Sequence, residues 1–332
     1  MRTGRTRGRT LRTRIAVLGS VAMITMATLT PATIVQAAVP APYVTQGYWI
    51  VTSDGTVYNL GSAVSFGGGS GPGKAVWLSA TPTGLGYWIP TFGGVVHVFG
   101  DAPFLGDPSQ LKLNAGLQGM ASVTSTGYWL VGGDGGIFNY GTAKFFGSTG
   151  SMKLNKPVVG IAATPDGNGY WLVASDGGIF TFGDAVFRGS APALGVKTPV
   201  VSMAVTKSGL GYWMVGSDGG VFTFGNAGFF GSTGGIKLNK PVVGMVPTHN
   251  GKGYWLVASD GGVFNFGDAP FLGSAGGIKL SKPVVGMDIT PTGLGYWLVA
   301  SDGGVFNFGD AKFLGSLGGS GRPDIVHLAA KP

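Results

Sequence analysis

The sequence predicts an all-β chain folded as a seven-bladed β-propeller with four-stranded blades, on three observations. First, the Tyr-Trp pair occurs seven times, at Tyr48-Trp49, Tyr87-Trp88, Tyr128-Trp129, Tyr170-Trp171, Tyr212-Trp213, Tyr254-Trp255 and Tyr296-Trp297. Successive tryptophans lie 39, 41, 42, 42, 42 and 42 residues apart. A period of about 40 to 45 residues with several short strand-like pieces per unit is the mark of propeller blades. Second, the phrase GYWLVASDGGVFNFGDA at Gly253–Ala269 recurs letter for letter at Gly295–Ala311. A phrase repeated around the chain is first a packing unit. Third, the repeat is split between the two ends of the chain, as shown below.

The last full unit gives the elements in order. PVVGMDIT (Pro283–Thr290) is apolar and β-branched and reads as strand A, followed by the turn residues PTGLG. YWLVAS (Tyr296–Ser301) is strand B. Asp302-Gly303-Gly304 then forms a tight turn, because Asp-Gly and Gly-Gly accept the positive φ of two-residue hairpins. VFNFG (Val305–Gly309) is strand C, Asp310-Ala311 turns the chain, and KFLGS (Lys312–Ser316) is expected to be strand D at the outer edge. Glycine-rich links such as GSTGGIKLNK (Gly231–Lys240) lead to the next Pro-Val-Val. They are the longest connections of the unit, which makes strand A the innermost strand. Both faces of strand B are apolar, as a sheet sandwiched between two neighbours requires. The seven tryptophans therefore read as inter-blade core, with a sugar-stacking row as the alternative.

The ends close the argument. The first unit starts at strand B, since no Pro-Val-Val precedes Gly47-Tyr48-Trp49. The chain finishes on DIVHLAA (Asp324–Ala330), a lone strand A. Inner strands are expected at 75–82, 117–124, 157–164, 199–206, 241–248, 283–290 and 324–330. The C-terminal strand is thus expected to complete the first blade and close the ring, which removes free sheet edges.

Composition agrees. All 14 acidic residues are Asp, and Gly makes up 64 of 332 residues, far above the usual level of about 7%. Asp and Gly make turns, whereas the absent Glu favours helices. No Cys is present, which excludes disulfides, thiolate metal sites and thiol catalysis. Residues 1–37 read as a secretory signal peptide. Six arginines (Arg2, Arg5, Arg7, Arg9, Arg12, Arg14) precede an apolar stretch, and Val35-Gln36-Ala37 ends in small residues. A membrane anchor is the alternative, but the apolar core is short for a span. Residues 38–46 are expected to be a linker and 47–332 the propeller. The whole chain carries +8; without the six leader arginines, 16 Lys and Arg face 14 Asp, or +2. The basic pI is mostly the leader's, and nucleic acid is not implied as a partner. The mature chain is read as a secreted, extracellular monomer without a membrane span, at or outside the cell envelope.

The repeated phrase resembles the units of secreted propeller-repeat proteins of actinobacteria, in some of which similar repeats are appended to cell-wall or ester hydrolases. The resemblance covers Gly47 to the C-terminus. The unit also resembles tectonin and tachylectin-type lectin blades, where an aromatic strand precedes an Asp-Gly turn. It lacks the Gly-His and Trp-Asp signatures of tryptophan-aspartate repeat propellers. These resemblances imply architecture; propellers host many functions, so a site must be argued from its residues.

Catalytic motifs are scarce. Ser70 in GGGSGPG and Ser320 in GGSGR fail the spacing of a nucleophile elbow. His97, His249 and His327 are not at metal-pair spacing, and Asp176, Asp218, Asp260 and Asp302 sit where the turn demands Asp. No catalytic residue, cofactor or metal is assigned. An esterase-like hydrolase or a lyase with a site at the channel mouth stays as a lesser alternative. The second unit diverges: His97 stands where later units have Phe, Gly93 replaces the turn Asp, and Pro90 lies inside strand B, where it loses a ladder hydrogen bond. It reads either as a drifted repeat or as a blade carrying a site.

Lysines recur as K-L-x-K-P before the inner strands. Lys153 and Lys156, Lys237 and Lys240, and Lys279 and Lys282 are expected at one mouth of the ring, with Lys112 and Lys197 in matching links. The turn Asp residues share that face. Such a crown suits an anionic glycan or cell-wall polymer; a solvated rim is the plain alternative. The sequence thus points to a non-catalytic binding module for carbohydrate or cell-wall polymer, or else to a protein-interaction or structural scaffold ring.

Overall fold

The computed structural model describes residues 46–69, 73–321 and 324–332. The expected leader, residues 1–37, lies outside the described residues, as does the expected linker up to residue 45. The described chain forms seven antiparallel sheets, each ordered A–B–C from the inner strand outward. Blade seven shows the pattern. Strand A (Val284–Ile289) pairs with strand B (Gly295–Ala300), with Ile289 opposite Tyr296 and Met287 opposite Leu298. Strand B pairs with strand C (Val305–Gly309), with Tyr296 opposite Phe308. A bulge between Val284 and Gly286 recurs at Val242/Gly244, Val200/Ser202 and Leu117/Gly119.

The two ends of the described ring share blade one. Ile325–Ala330 pairs with Gly47–Thr52, with Tyr48 opposite Ala330 and Ile50 opposite Leu328, and Gly47–Thr52 pairs in turn with Val57–Gly61. The ring is closed by its C-terminal strand, as the split repeat predicts. Gln46, placed in the linker by sequence, belongs to this closure. Its Nε2 donates to the Asp310 carbonyl at 2.9 Å, and its Oε1 accepts from the Lys312 N–H at 2.7 Å, both in blade seven.

The core lies between blades. Every repeat tryptophan packs on the tyrosine of the following blade: Trp49 on Tyr87 (5.6 Å between ring centroids), Trp88 on Tyr128 (5.9 Å), Trp129 on Tyr170 (5.6 Å). The series runs on through Trp171–Tyr212 (6.2 Å), Trp213–Tyr254 (6.3 Å) and Trp255–Tyr296 (5.9 Å). Trp297 on Tyr48, at 5.4 Å, completes the circle. All fourteen rings are buried. The alternation of strand B explains this: Trp and Val face one neighbour, Tyr and Leu the other. The tryptophans are core and make no external stacking row.

The fourth strand is a correction. KFLGS and its equivalents join no ladder, so the sheets have three strands. The segment leaves its own blade and crosses to the next. Trp297 Nε1 donates to the Lys312 carbonyl at 2.9 Å, while Tyr48 Oη of blade one donates to the Gly315 carbonyl at 2.7 Å. Gly315 holds φ +132°, and a Cβ there would lie 2.6 Å from Leu60 Cδ2. Gly147 in blade three is likewise held at φ +137° against the Phe182 ring of blade four. A strand ladder cannot continue through that conformation.

Blade two is irregular, as its sequence foretells. Pro90 has no N–H to give, and the expected inner strand 75–82 is reduced to Ser79–Ala80 with a bridge between Ala75 and Thr91. The Val76 N–H still donates to the Pro90 carbonyl at 3.0 Å. The sole helical piece among the described residues is a 3-10 turn at Ala191–Leu194, and none is long and apolar enough to cross a membrane.

Candidate functional site

The link face of the ring is built by its backbone first. Each Pro-Val pair that opens an inner strand ties two blades together. The Val242 N–H of blade six donates to the Ser217 carbonyl of blade five at 2.9 Å, and the Ser259 N–H donates to the Pro241 carbonyl at 2.9 Å. The next link repeats this from Val284 to Ser259 (2.8 Å) and from Ser301 to Pro283 (2.8 Å). The K-L-x-K-P links are therefore held over the B–C turns.

The turn Asp residues serve those turns. Asp218, Asp260 and Asp302 each accept the N–H two residues on, at Gly220 (2.9 Å), Gly262 (3.0 Å) and Gly304 (3.0 Å). This is the Asx-turn role. The second Asp of the phrase works at the opposite mouth: Asp310 accepts from Thr290 Oγ1 at 2.8 Å and Thr292 Oγ1 at 2.5 Å, latching the A–B turn to the C–D turn. Asp268 does the same with Thr248 (3.0 Å) and Asn250 (2.6 Å).

All six lysines of the repeated links are exposed. Lys240 of one link and Lys279 and Lys282 of the next line one hollow of about 460 Å³, with Asp260 and Ser259 of the turn beneath. A second hollow of about 340 Å³ holds Lys240 and Asn239 against Asp218 and Ser217. Lys237 lines a third with Asp260. Lys153 and Lys156 occupy the matching link before blade four. The face is mixed in charge, with cationic ammonium groups on flexible stems above turn carboxylates already engaged by backbone.

The histidines stand apart. His97 is half-buried on strand C of blade two, opposite Ile89, with Nε2 enclosed and unpartnered. His249 Nε2 lies 3.4 Å from the Thr290 carbonyl. His327 sits on the closing strand, and burial pushes its pKa down to about 4. No group of three metal-ligating side chains exists among the described residues. Two features escaped sequence reasoning. One is a rim of outward phenylalanines at the equivalent position of blades two to seven: Phe104, Phe145, Phe187, Phe229, Phe271 and Phe313, each more than half exposed. The residue after five of them, such as Phe146 or Leu314, is more buried, Arg188 being the exception, so the alternation was present in the sequence. The other is Trp77, the tryptophan outside the repeated pairs.

The sequence matches no protein-family model and no curated protein. Its structure is similar to that of the β-propeller domain of Cps50 (Swd1) from Myceliophteria thermophila, with a TM-score of 0.53 at 10% identity, over 74% of this chain and 86% of that one. At that identity the likeness concerns the fold alone. The chain is a β-propeller.

Proposed function

We propose that this propeller is a secreted, non-catalytic binding module that recognises an anionic carbohydrate or cell-wall polymer at the cell envelope. The observation that carries the reading is the hollow in which Lys240, Lys279 and Lys282, from two successive links, converge. A repeated cationic site suits a repeated anionic ligand, because a polymer that engages several links gains avidity without new contacts. The leader-like residues 1–37 support an address outside the cell. The test is a pull-down of the mature protein on isolated cell wall, together with a glycan array. Retention on wall or on anionic glycans, weakened by salt, supports the reading. Absence of binding to both rejects it.

The phenylalanine rim favours a second reading, a protein-interaction or scaffold ring. Six large apolar side chains at equivalent positions, each 55 to 60% exposed, form a regular apolar series. If this reading holds, a variant with all six changed to Ser loses a protein partner while wall binding persists.

A further inference from the structure

The central channel carries an asymmetry that the repeat does not explain. The third residue of strand A is Gly119, Gly160, Ser202, Gly244 and Gly286 in blades three to seven. In blades one and two the same position holds His327 and Trp77. These two rings meet between blades one and two, with centroids 3.9 Å apart and planes at 33°. Trp77 remains 39% exposed, whereas every repeat tryptophan is buried. It lines a cavity of about 250 Å³ whose walls come from blades two to five, chiefly from their inner-strand segments, with Gln118, Met120, Ile161, Ser202 and Met203. Walls drawn chiefly from the inner-strand segments of four successive blades place that cavity in the axial channel.

We propose that this cavity binds a small, uncharged, planar aromatic molecule, stacked on Trp77 in the space that the small residues of blades three to five leave open. The lining decides the class. It holds no titratable side chain, so a charged ligand would be desolvated without a partner. Its polar side chains are Gln118 and Ser202, too few for the hydroxyls of a sugar. An exposed indole offers a stacking face, and two thioethers offer polarizable contacts to a ring. An apolar pocket with few polar groups is the usual form of a small-molecule site. His327 acts as a positioning residue: its ring rests on Trp77, and its Nδ1 is enclosed without a hydrogen-bond partner. This site is separate from the lysine links and does not depend on their ligand.

Indole is the probe, and the methionine methyl groups are the reporters. In protein carrying labelled methionine methyls, indole is expected to shift Met120 and Met203 by ring current. Met152, exposed on a link, and Met214, buried between blades, are expected not to move. Trp77→Gly installs the residue that four other blades use and is expected to weaken indole binding at least tenfold. Gly119→Leu fills the void and is expected to abolish the shifts. Indole-3-acetate, which adds a carboxylate, is expected to bind at least tenfold more weakly than indole to the unaltered protein. That arm keeps the proposal testable if either variant fails to fold. Shifts spread equally over Met152 and Met214, no shift at Met120 and Met203, or equal binding of indole-3-acetate would each overturn it.

Discussion

Asp288 Oδ2 accepts the backbone N–H of Ala330 at 2.8 Å, from blade seven to the C-terminal strand that closes the ring. Asp288 lies on the inner strand of blade seven and Ala330 on the inner strand of blade one. Equivalent positions elsewhere carry Ser79, Ala121, Ala162, Ala204, Val246 and, on the closing strand, Ala329. The other oxygen, Oδ1, accepts from the Ile289 N–H at 2.9 Å. Burial nonetheless drives the carboxyl pKa upward, ahead of the lowering effect of those two donors. Asp288 thus anchors the end of the closing strand, which no A–B turn ties to Gly47–Thr52.

Asp288→Val, the residue of blade six, leaves the Ala330 N–H without its acceptor. A bared buried donor costs about 1–3 kcal/mol. Denaturant unfolding is expected to show that loss. Hydrogen exchange is expected to show faster exchange at Ala330, with the Trp213–Tyr254 interface unchanged. An unaltered Ala330 amide would remove the role of Asp288 in anchoring the closing strand.

His327 makes stability depend on pH. Its folded pKa is about 4 against about 6.5 unfolded, so the folded state resists the proton. Its contribution is present above pH 6.5 and is lost as pH falls toward 4, by up to about 3 kcal/mol. Asp288 has the opposite sign: its raised pKa favours the folded state at low pH, and that contribution is lost as pH rises. The difference in stability between the protein and His327→Phe, measured from pH 7 to pH 4, therefore isolates the histidine. It is expected to change steadily in favour of the Phe variant as pH falls. A flat difference would contradict the burial.

Trp255→Ala is expected to cost about 3–5 kcal/mol, since the indole fills the space against Tyr296 and its Nε1 holds the Pro270 carbonyl at 2.8 Å. Equal stability with loss of glycan retention would instead place that indole on a binding surface.

Removing residues 324–332 is expected to expose the inner edge of Gly47–Thr52 and to open the core around Trp297 and Tyr48. Calorimetry is expected to show a loss far larger than trimming a tail. A melting point within a few degrees of the parent would mean that the ring does not need its closing strand.

The architecture was legible because each of its signals repeats: the Tyr-Trp period, the Asp-Gly turn and the split unit all survive inspection of one chain. The fourth strand misled because Lys-Phe-Leu-Gly has strand-like composition. Its departure depends on where Gly315 meets Leu60 of another blade, which local pattern cannot show. Asp288 was visible as a lone acid in an apolar strand, but its partner, 42 residues on, becomes a neighbour only after closure. Trp77 and His327 lie 250 residues apart, and both break the small-residue rule of the third inner position. That shared register was the available clue to the channel.

The central claim is that the lysine links bind an anionic polymer, and one measurement tests it directly. Lys153, Lys156, Lys237, Lys240, Lys279 and Lys282 are all changed to Ser, and retention on isolated cell wall is measured across a salt series. These side chains are exposed, so each change is expected to shift stability by no more than about 0.5 kcal/mol. The parent is expected to bind at low salt and to weaken as salt shortens the screening length to about 8 Å and below. The six-Ser variant is expected to be washed through at every salt concentration. Retention of that variant equal to the parent's, with the same salt response, would contradict the account and leave the lysines as a solvated rim.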